Sequence, residues 1–225
     1  MNNFLIFGEV IFVFSCLLLC NKLLGKIGVI TWIPLATVLA NIITAKNAEI
    51  FGLSTAIGTV MFASTFLATD ILSEKYSRKD ARTAVYLGLF ADVILICATQ
   101  IALLYTPSTF DYADGAMRTL FSLNLRISIA SAVMYVVANL ADIYLFNKLR
   151  DVTSGRLLWF RNNVSTILCN CLENFGFITL AFFGIYDIKT IFTIAVSTSI
   201  IEMMVAILDT PFLYLAVKGG KEWEN

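Results

Sequence analysis

Glu173 sits in the middle of the apolar run from Val164 to Gly184, with Asn170 and Asn174 close by. A carboxylate at bilayer depth costs roughly 2.5–3.5 kcal/mol on insertion scales, so it is paired, solvated in a cavity, or both. The chemistry that suits it is holding something polar inside a membrane. Asn162, Thr166, Asn170 and Glu173 recur at i, i+4, i+8 and i+11 and end on Phe177. On a helix these positions form one narrow stripe, which must face protein or water and not lipid. For Asn162 and Thr166 a hydrogen-bonded seam between helices is the simpler reading. For Asn170 and Glu173 the stripe points to binding.

Further polar groups lie in other apolar runs. Thr198, Glu202 and Asp209 fall on one helical face, making Glu202 a second mid-membrane acid. Asn139 and Asp142 are three residues apart on a common face, while Arg126 in the same run projects about 160° away from Asp142. Arg126 could reach Glu173 or Glu202 on neighbouring helices, or snorkel outward. A structural ion pair and a substrate contact both stay open for it. Asp70, Asp142 and Asp209 each close the same end of a run, where an acid opposes the helix macrodipole. They either pair with nearby basic residues or form an inner gate or part of the site. Glu9 and Asp92 are further candidates.

Several function classes lack their usual residues. The chain has no histidine, and its five cysteines lie in apolar runs without a Cys-x-x-Cys pair. No zinc or haem site is expected, no Ser-His or Cys-His nucleophile can be built, and no cofactor is implied. An intramembrane acid-dependent enzyme would need paired acids among Asp70, Asp142 and Asp209, but none of the three stands in a Gly-x-Gly-Asp or Tyr-Asp pairing. The expectation is a protein that is not an enzyme.

The elements that must position these residues are membrane helices. Of the 225 residues, 59% are hydrophobic and 14% charged, and the mean hydropathy is +0.82. Soluble domains use about 45–50% apolar residues. The expected fold is an all-α polytopic membrane protein, one domain over 1–225, a single bundle of about seven transmembrane helices. The candidate spans are 4–21, 27–45, 51–72, 83–105, 121–146, 162–184 and 189–217. Pro34 and Asn41 interrupt the second, and Pro211 suggests a kink or an interfacial final turn in the last. The first has no basic n-region or Ala-x-Ala site and reads as a span, not a removable signal.

Basic residues set the orientation. Twelve of them, Lys22, Lys26, Lys75, Arg78, Lys79, Arg82, Lys148, Arg150, Arg156, Arg161, Lys218 and Lys221, follow odd-numbered spans, against Lys46, Arg118 and Lys189 on the other side. The N-terminus is therefore expected outside and the C-terminus in the cytoplasm. The connection 106–120 is either a lid over an outward opening or a polar cap, the cap being the simpler reading. The zero net charge gives no reason to expect nucleic-acid binding.

Three ordered blocks carry a family resemblance. Phe66-Leu-Ala-Thr-Asp-Ile-Leu-Ser-Glu-Lys-Tyr-Ser-Arg-Lys-Asp-Ala-Arg82 closely resembles the signature of the vitamin-uptake, or queuosine precursor, transporter family. Arg126-Ile-Ser-Ile-Ala-Ser, followed by Asn139-Leu-Ala-Asp142-Ile-Tyr-Leu-Phe-Asn-Lys-Leu-Arg150, resembles a second family pattern. Leu158-Trp-Phe-Arg-Asn-Asn-Val-Ser-Thr166 with Asn170 and Glu173 is similar to a third. Asn139 stands where the family usually has Gln, and Glu173 where it usually has Asp. Residues 1–26 form an extra helix ahead of a six-helix family-like core at 27–217.

The resemblance implies a transporter of the bacterial plasma (inner) membrane serving tRNA modification. Its small-molecule substrate would be 7-cyano- or 7-aminomethyl-7-deazaguanine, queuine or queuosine. The implied substrate-binding residues are Glu173, Asn170, Asn139, Asp142, Asp70, Arg126 and Glu202. A guanine-like ring offers adjacent N1–H and N2–H donors that Glu173 could accept, while Asn139 and Asn170 could serve O6 and N7. Asp142 could pair with a ligand ammonium or ribose hydroxyl, and Phe175, Phe177 or Tyr135 could stack. Besides substrate and lipid bilayer, the partners to consider are a second copy or an ATPase module. In the latter case the chain would be the substrate-binding subunit of an energy-coupling-factor-type transporter, docking through Ala36 and Ala40.

Overall fold

In a computed structural model, which describes residues 1–121 and 125–219, the chain begins with α1 (Asn2–Ile43), β1 (Asn47–Ile50), β2 (Leu53–Ala56) and α2 (Thr59–Lys75). It continues with α3 (Arg78–Leu104), α4 (Asp114–Phe121), α5 (Leu125–Val152), α6 (Leu158–Phe182) and α7 (Ile188–Gly219). Lys221, counted above among the basic residues, lies outside the described residues.

The two runs expected at 4–21 and 27–45 are the two arms of α1. Gly25 takes φ 58° and ψ −138°, a conformation open chiefly to glycine, and the chain doubles back there. A Cβ on Gly28 would strike the backbone carbonyl of Cys20, although eight residues of straight helix would separate them by about 12 Å. At the other end Asn2 Nδ2 donates to Glu49 O (3.1 Å), and Phe51 N–H donates to Asn3 Oδ1 (2.8 Å). The start of α1 thus lies beside the segment that follows its end.

The expected helix over 51–72 needs correcting. Its first residues belong to an antiparallel ribbon in which Asn47 pairs with Ala56 and Ile50 with Leu53. Phe51 and Gly52 close it with φ of 52° and 79°, the sign that tight two-residue hairpin turns require. Helix α2 starts only at Thr59, and it is the central element, packed on α1, α3, α5 and α7. Nearly every residue from Thr59 to Ser73 is buried, as expected of a helix enclosed on all sides. Its hydroxyls turn inward: Ser64 Oγ, Thr65 Oγ1 and Thr69 Oγ1 donate to the carbonyls of Met61, Phe62 and Phe66, and Trp32 Nε1 donates to Ser64 Oγ (2.9 Å).

Apolar side chains cover the outside of the bundle and polar ones fill parts of its inside. Phe12, Leu19, Phe90, Ile94, Val133, Leu172, Phe192 and Ile207 are exposed, whereas Asn139, Asp142, Asn162 and Asp209 are buried. This inversion fits a lipid surround. Helices α1, α3, α5, α6 and α7 are long and apolar enough to cross a membrane, so the chain is a helical, polytopic membrane protein. The basic segments gather at one end: Lys26 pairs with Asp80 (3.6 Å), Arg78 with Asp151 (2.8 Å), and Arg161 with Glu74 (2.8 Å). Ala36 and Ala40 are buried within the core, so they offer no docking face.

Candidate functional site

Each helix of the bundle except α4 contributes to a cavity of about 160 Å³ away from the basic end. Thr37 and Asn41 come from α1 and Thr44 caps its end, Phe62 comes from α2, Asp92 from α3 and Tyr135 from α5. Helix α6 adds Glu173, Asn174 and Phe177, and α7 adds Thr198 and Glu202. Two hydrogen bonds hold opposite walls. Asn174 Nδ2 donates to Glu202 Oε2 (2.6 Å), and Asn41 Nδ2 donates to Asp92 Oδ1 (2.7 Å). Glu173 Oε2 is buried with no hydrogen-bond partner. Tyr135 can reach α3 because residue 88 is glycine, where a Cβ would overlap its hydroxyl. Phe62 sits edge-on to Tyr135, with ring centroids 6.1 Å apart.

A larger cavity of about 340 Å³ adjoins this one, sharing Asn41, Thr44, Asp92, Ser131 and Phe177. Thr119, Leu120 and Phe121 from the end of α4 form part of its wall. Gln100 Nε2 fastens α4 through Phe121 O (2.6 Å), and Arg118 Nη2 does so through Leu103 O (3.2 Å). The end of the segment expected as a lid or a polar cap therefore lines this cavity.

Toward the basic end lies a second polar layer, closed off by the described residues around it. Asp70 of α2, Asp142 of α5 and Asp209 of α7 are all fully buried. The Asp142 carboxyl lies beside Asp70 and the hydroxyls of Thr69, Ser165 and Thr166, yet no donor is aligned on either oxygen of Asp142 or of Asp70. Asp209 Oδ1 accepts from Asn162 Nδ2 (2.5 Å). Asn139 and Asn170 are buried a helical turn from this layer, each with an unpartnered Oδ1. Closing the layer on its basic side, Arg161 donates to Glu74 Oε2 (2.8 Å) and Oε1 (3.1 Å), and its guanidinium lies over the Phe146 ring at 5.0 Å.

The residues singled out in the sequence therefore separate. Glu173 and Glu202 share the open cavity, Asp70 and Asp142 belong to the closed layer, and Asn139 and Asn170 lie near it. Arg126 lines neither. Its Nε donates to Leu180 O (2.7 Å) and its Nη2 to Phe183 O (2.8 Å), fastening the end of α6. Glu9 lines a groove beside Lys46 on the side of α1. Sequence reasoning missed Arg161 as an interior residue and gave Asn41 and Asn174 no role of their own. The polar break at Asn41 and the adjacency of Asn174 to Glu173 were the available signals.

The family described as "Putative vitamin uptake transporter" matches residues 56–216. A Bacillus subtilis protein named "Probable queuosine precursor transporter" is 37% identical over 218 residues, 96% of this chain and 95% of that protein. A Haemophilus influenzae protein of the same name is 31% identical over 141 residues, 62% of this chain and 57% of that one. The Escherichia coli "Queuosine precursor transporter" is 28% identical over 157 residues, 67% of each chain. No solved structure matches. These relatives are named as transporters, not enzymes, and the signature blocks at Phe66–Arg82, Arg126–Arg150 and Leu158–Glu173 all fall inside the matched region. The chain belongs to the vitamin uptake transporter family.

Proposed function

We propose that the protein imports a queuosine precursor or salvage form, a 7-deazaguanine base or its nucleoside, across the bacterial plasma membrane. The observation that carries this reading is Glu173: a buried carboxylate oxygen without a partner, in a cavity it shares with Glu202. In the proposed complex Glu173 accepts the adjacent N1–H and N2–H of the guanine-like edge, a two-point contact that a charged acceptor makes strongly. Glu202, held by Asn174, lies beside it for a further donor of the ligand. Phe62, Phe177 and Tyr135 supply the aromatic walls for the ring. Asn170, a turn deeper on α6, supplies an amide as the site closes around its ligand. The adjoining space of about 340 Å³ lies within the roughly 300–1,000 Å³ of small-molecule sites and serves as the approach under α4.

In this reading the two arms of α1 with α2, α3, α5, α6 and α7 make seven crossings in one domain. The first arm is an addition to a family-like core at 27–217. The basic end faces the cytoplasm, the N-terminus and the α4 lid face outside, and Arg161–Glu74 belongs to the inner closure. Alternating access would open the cavity first under α4 and then toward the basic end. The alternative in which an ATPase module docks on this chain loses its candidate contact, because Ala36 and Ala40 are interior.

The test is uptake of 7-cyano-7-deazaguanine, 7-aminomethyl-7-deazaguanine and queuine by cells unable to make the precursors, with queuosine in tRNA as the readout. Glu173→Gln removes the charge from a hydrogen-bonded contact worth about 1.5–3 kcal/mol, or roughly ten- to a hundredfold in affinity. Normal accumulation by that variant would overturn the pocket assignment.

A further inference from the structure

The closed layer is not needed to explain substrate contact, and its composition is unusual for a membrane interior. Asp70 and Asp142 lie side by side from α2 and α5, fully buried, with no donor aligned on any of their four oxygens. The charged groups facing them are Asp209 of α7, Glu74 of α2 and Arg161 of α6. Cys169 of α6 is a further titratable neighbour. None supplies a free counter-charge: Arg161 is engaged by Glu74, and Asp209 adds a further acid. Thr166, itself buried, faces Asp142 with a hydroxyl that has no partner. Two adjacent carboxylates cannot both stay ionised in a low-dielectric interior without a cation. Among the described residues no group of three or more acidic, cysteine or histidine side chains is placed to hold a metal ion, and a proton shared between two adjacent carboxyls relieves their repulsion.

We infer that Asp70 and Asp142 share a single proton, and that this proton, bound apart from the substrate cavity, couples import to the transmembrane pH gradient. The coupling half rests on the transporter reading above. The shared proton enters while the layer communicates with the cavity under α4. It leaves to the cytoplasm when the Arg161–Glu74 closure parts and water reaches the pair. The pair is left as two carboxylates, a state that favours return to the closed, reprotonated layer. Asn139 and Asn170, with their unpartnered oxygens, stand near this layer on α5 and α6.

The experiment uses the purified full chain in liposomes with radiolabelled 7-cyano-7-deazaguanine. An inward proton gradient is expected to drive accumulation in the unaltered protein, and a sodium gradient alone is not. Asp142→Asn and Asp70→Asn are expected to lose gradient-driven accumulation at least tenfold. Accumulation driven by sodium alone, or retained by Asp142→Asn under the proton gradient, overturns the proposal. Infrared spectra without substrate provide the independent arm: the Asp70→Asn/Asp142→Asn protein should lose one protonated-carboxyl stretch. Superimposable spectra overturn the shared proton. Absence of exchange of labelled for unlabelled substrate in the unaltered protein would refute the transporter reading, and the infrared arm would still decide whether the pair holds its proton.

Discussion

Replacing Glu74 with Gln would leave the Arg161 guanidinium charged, fully buried and without its anion. The side chain of Arg161 has 0% exposure and that of Glu74 14%, and the two make bonds of 2.8 and 3.1 Å. Removing one member of a buried pair costs about 3–5 kcal/mol, because the other charge stays desolvated. The reverse change should cost less. In Arg161→Met the apolar chain still packs against Phe146, and Glu74 retains partial solvent access and Arg150 at 3.7 Å. The double variant should be more stable than Glu74→Gln alone, with a coupling of about 1–3 kcal/mol between the sites. Reversible unfolding of the purified protein in mixed micelles, following helix signal against denaturing detergent, measures all three variants. A Glu74→Gln cost below about 0.5 kcal/mol, or strictly additive effects, would refute the view of Arg161 as an interior charge neutralised by Glu74.

Gly88→Ala should destabilise the protein by about 1–3 kcal/mol, since the new Cβ meets the Tyr135 hydroxyl. Adding Tyr135→Phe should recover part of the loss in the same unfolding assay, the ring edge and Ile33 still lying close to the new Cβ. Asn174→Leu removes the donor from Glu202 and should weaken deazaguanine binding about tenfold or more, read by equilibrium binding to purified protein. Asp187 lies outside the spans at the start of α7, where the Thr190 hydroxyl and N–H hold its carboxyl below the ordinary carboxylate range. A depressed folded value means that the stabilisation is present above the unfolded value near 3.9 and lost as pH falls through the folded one. Amide exchange at residues 190–192 should therefore speed up on acidification toward pH 3, over and above the intrinsic change. In Asp187→Asn that acid-dependent step should disappear, and identical profiles for the two proteins would refute the assignment.

What could be read from the sequence was whatever a single helix determines. The stripe Asn162–Thr166–Asn170–Glu173 obeys helical periodicity, and its first three members are buried as that periodicity requires. The same arithmetic separated Arg126 from Asp142, but the carbonyls that Arg126 binds belong to α6 and depend on how α5 and α6 pack. Arg161 looked like one more positive charge on the cytoplasmic side, because its burial is decided by Glu74 on a different helix. The ribbon at 47–56 was hidden for another reason: its apolar residues continue into those of α2, and hydropathy alone does not see the turn at Phe51–Gly52. The division of the acids into an open cavity and a closed layer depended on the placement of α2, α5, α6 and α7 together.

Helix α2 has a consequence for biogenesis. It has only 17 residues, carries Ser64, Thr65, Thr69 and Asp70, and is shielded from lipid by α1, α3, α5 and α7. Such a segment partitions poorly into a bilayer by itself, and most of the helices that shelter it emerge later from the ribosome. During synthesis it must wait, beside the translocon or against the α1 hairpin, until the C-terminal helices arrive to enclose it. Insertion of this chain is thus a collective event, and truncation after α3 should strand the helix that bears Asp70.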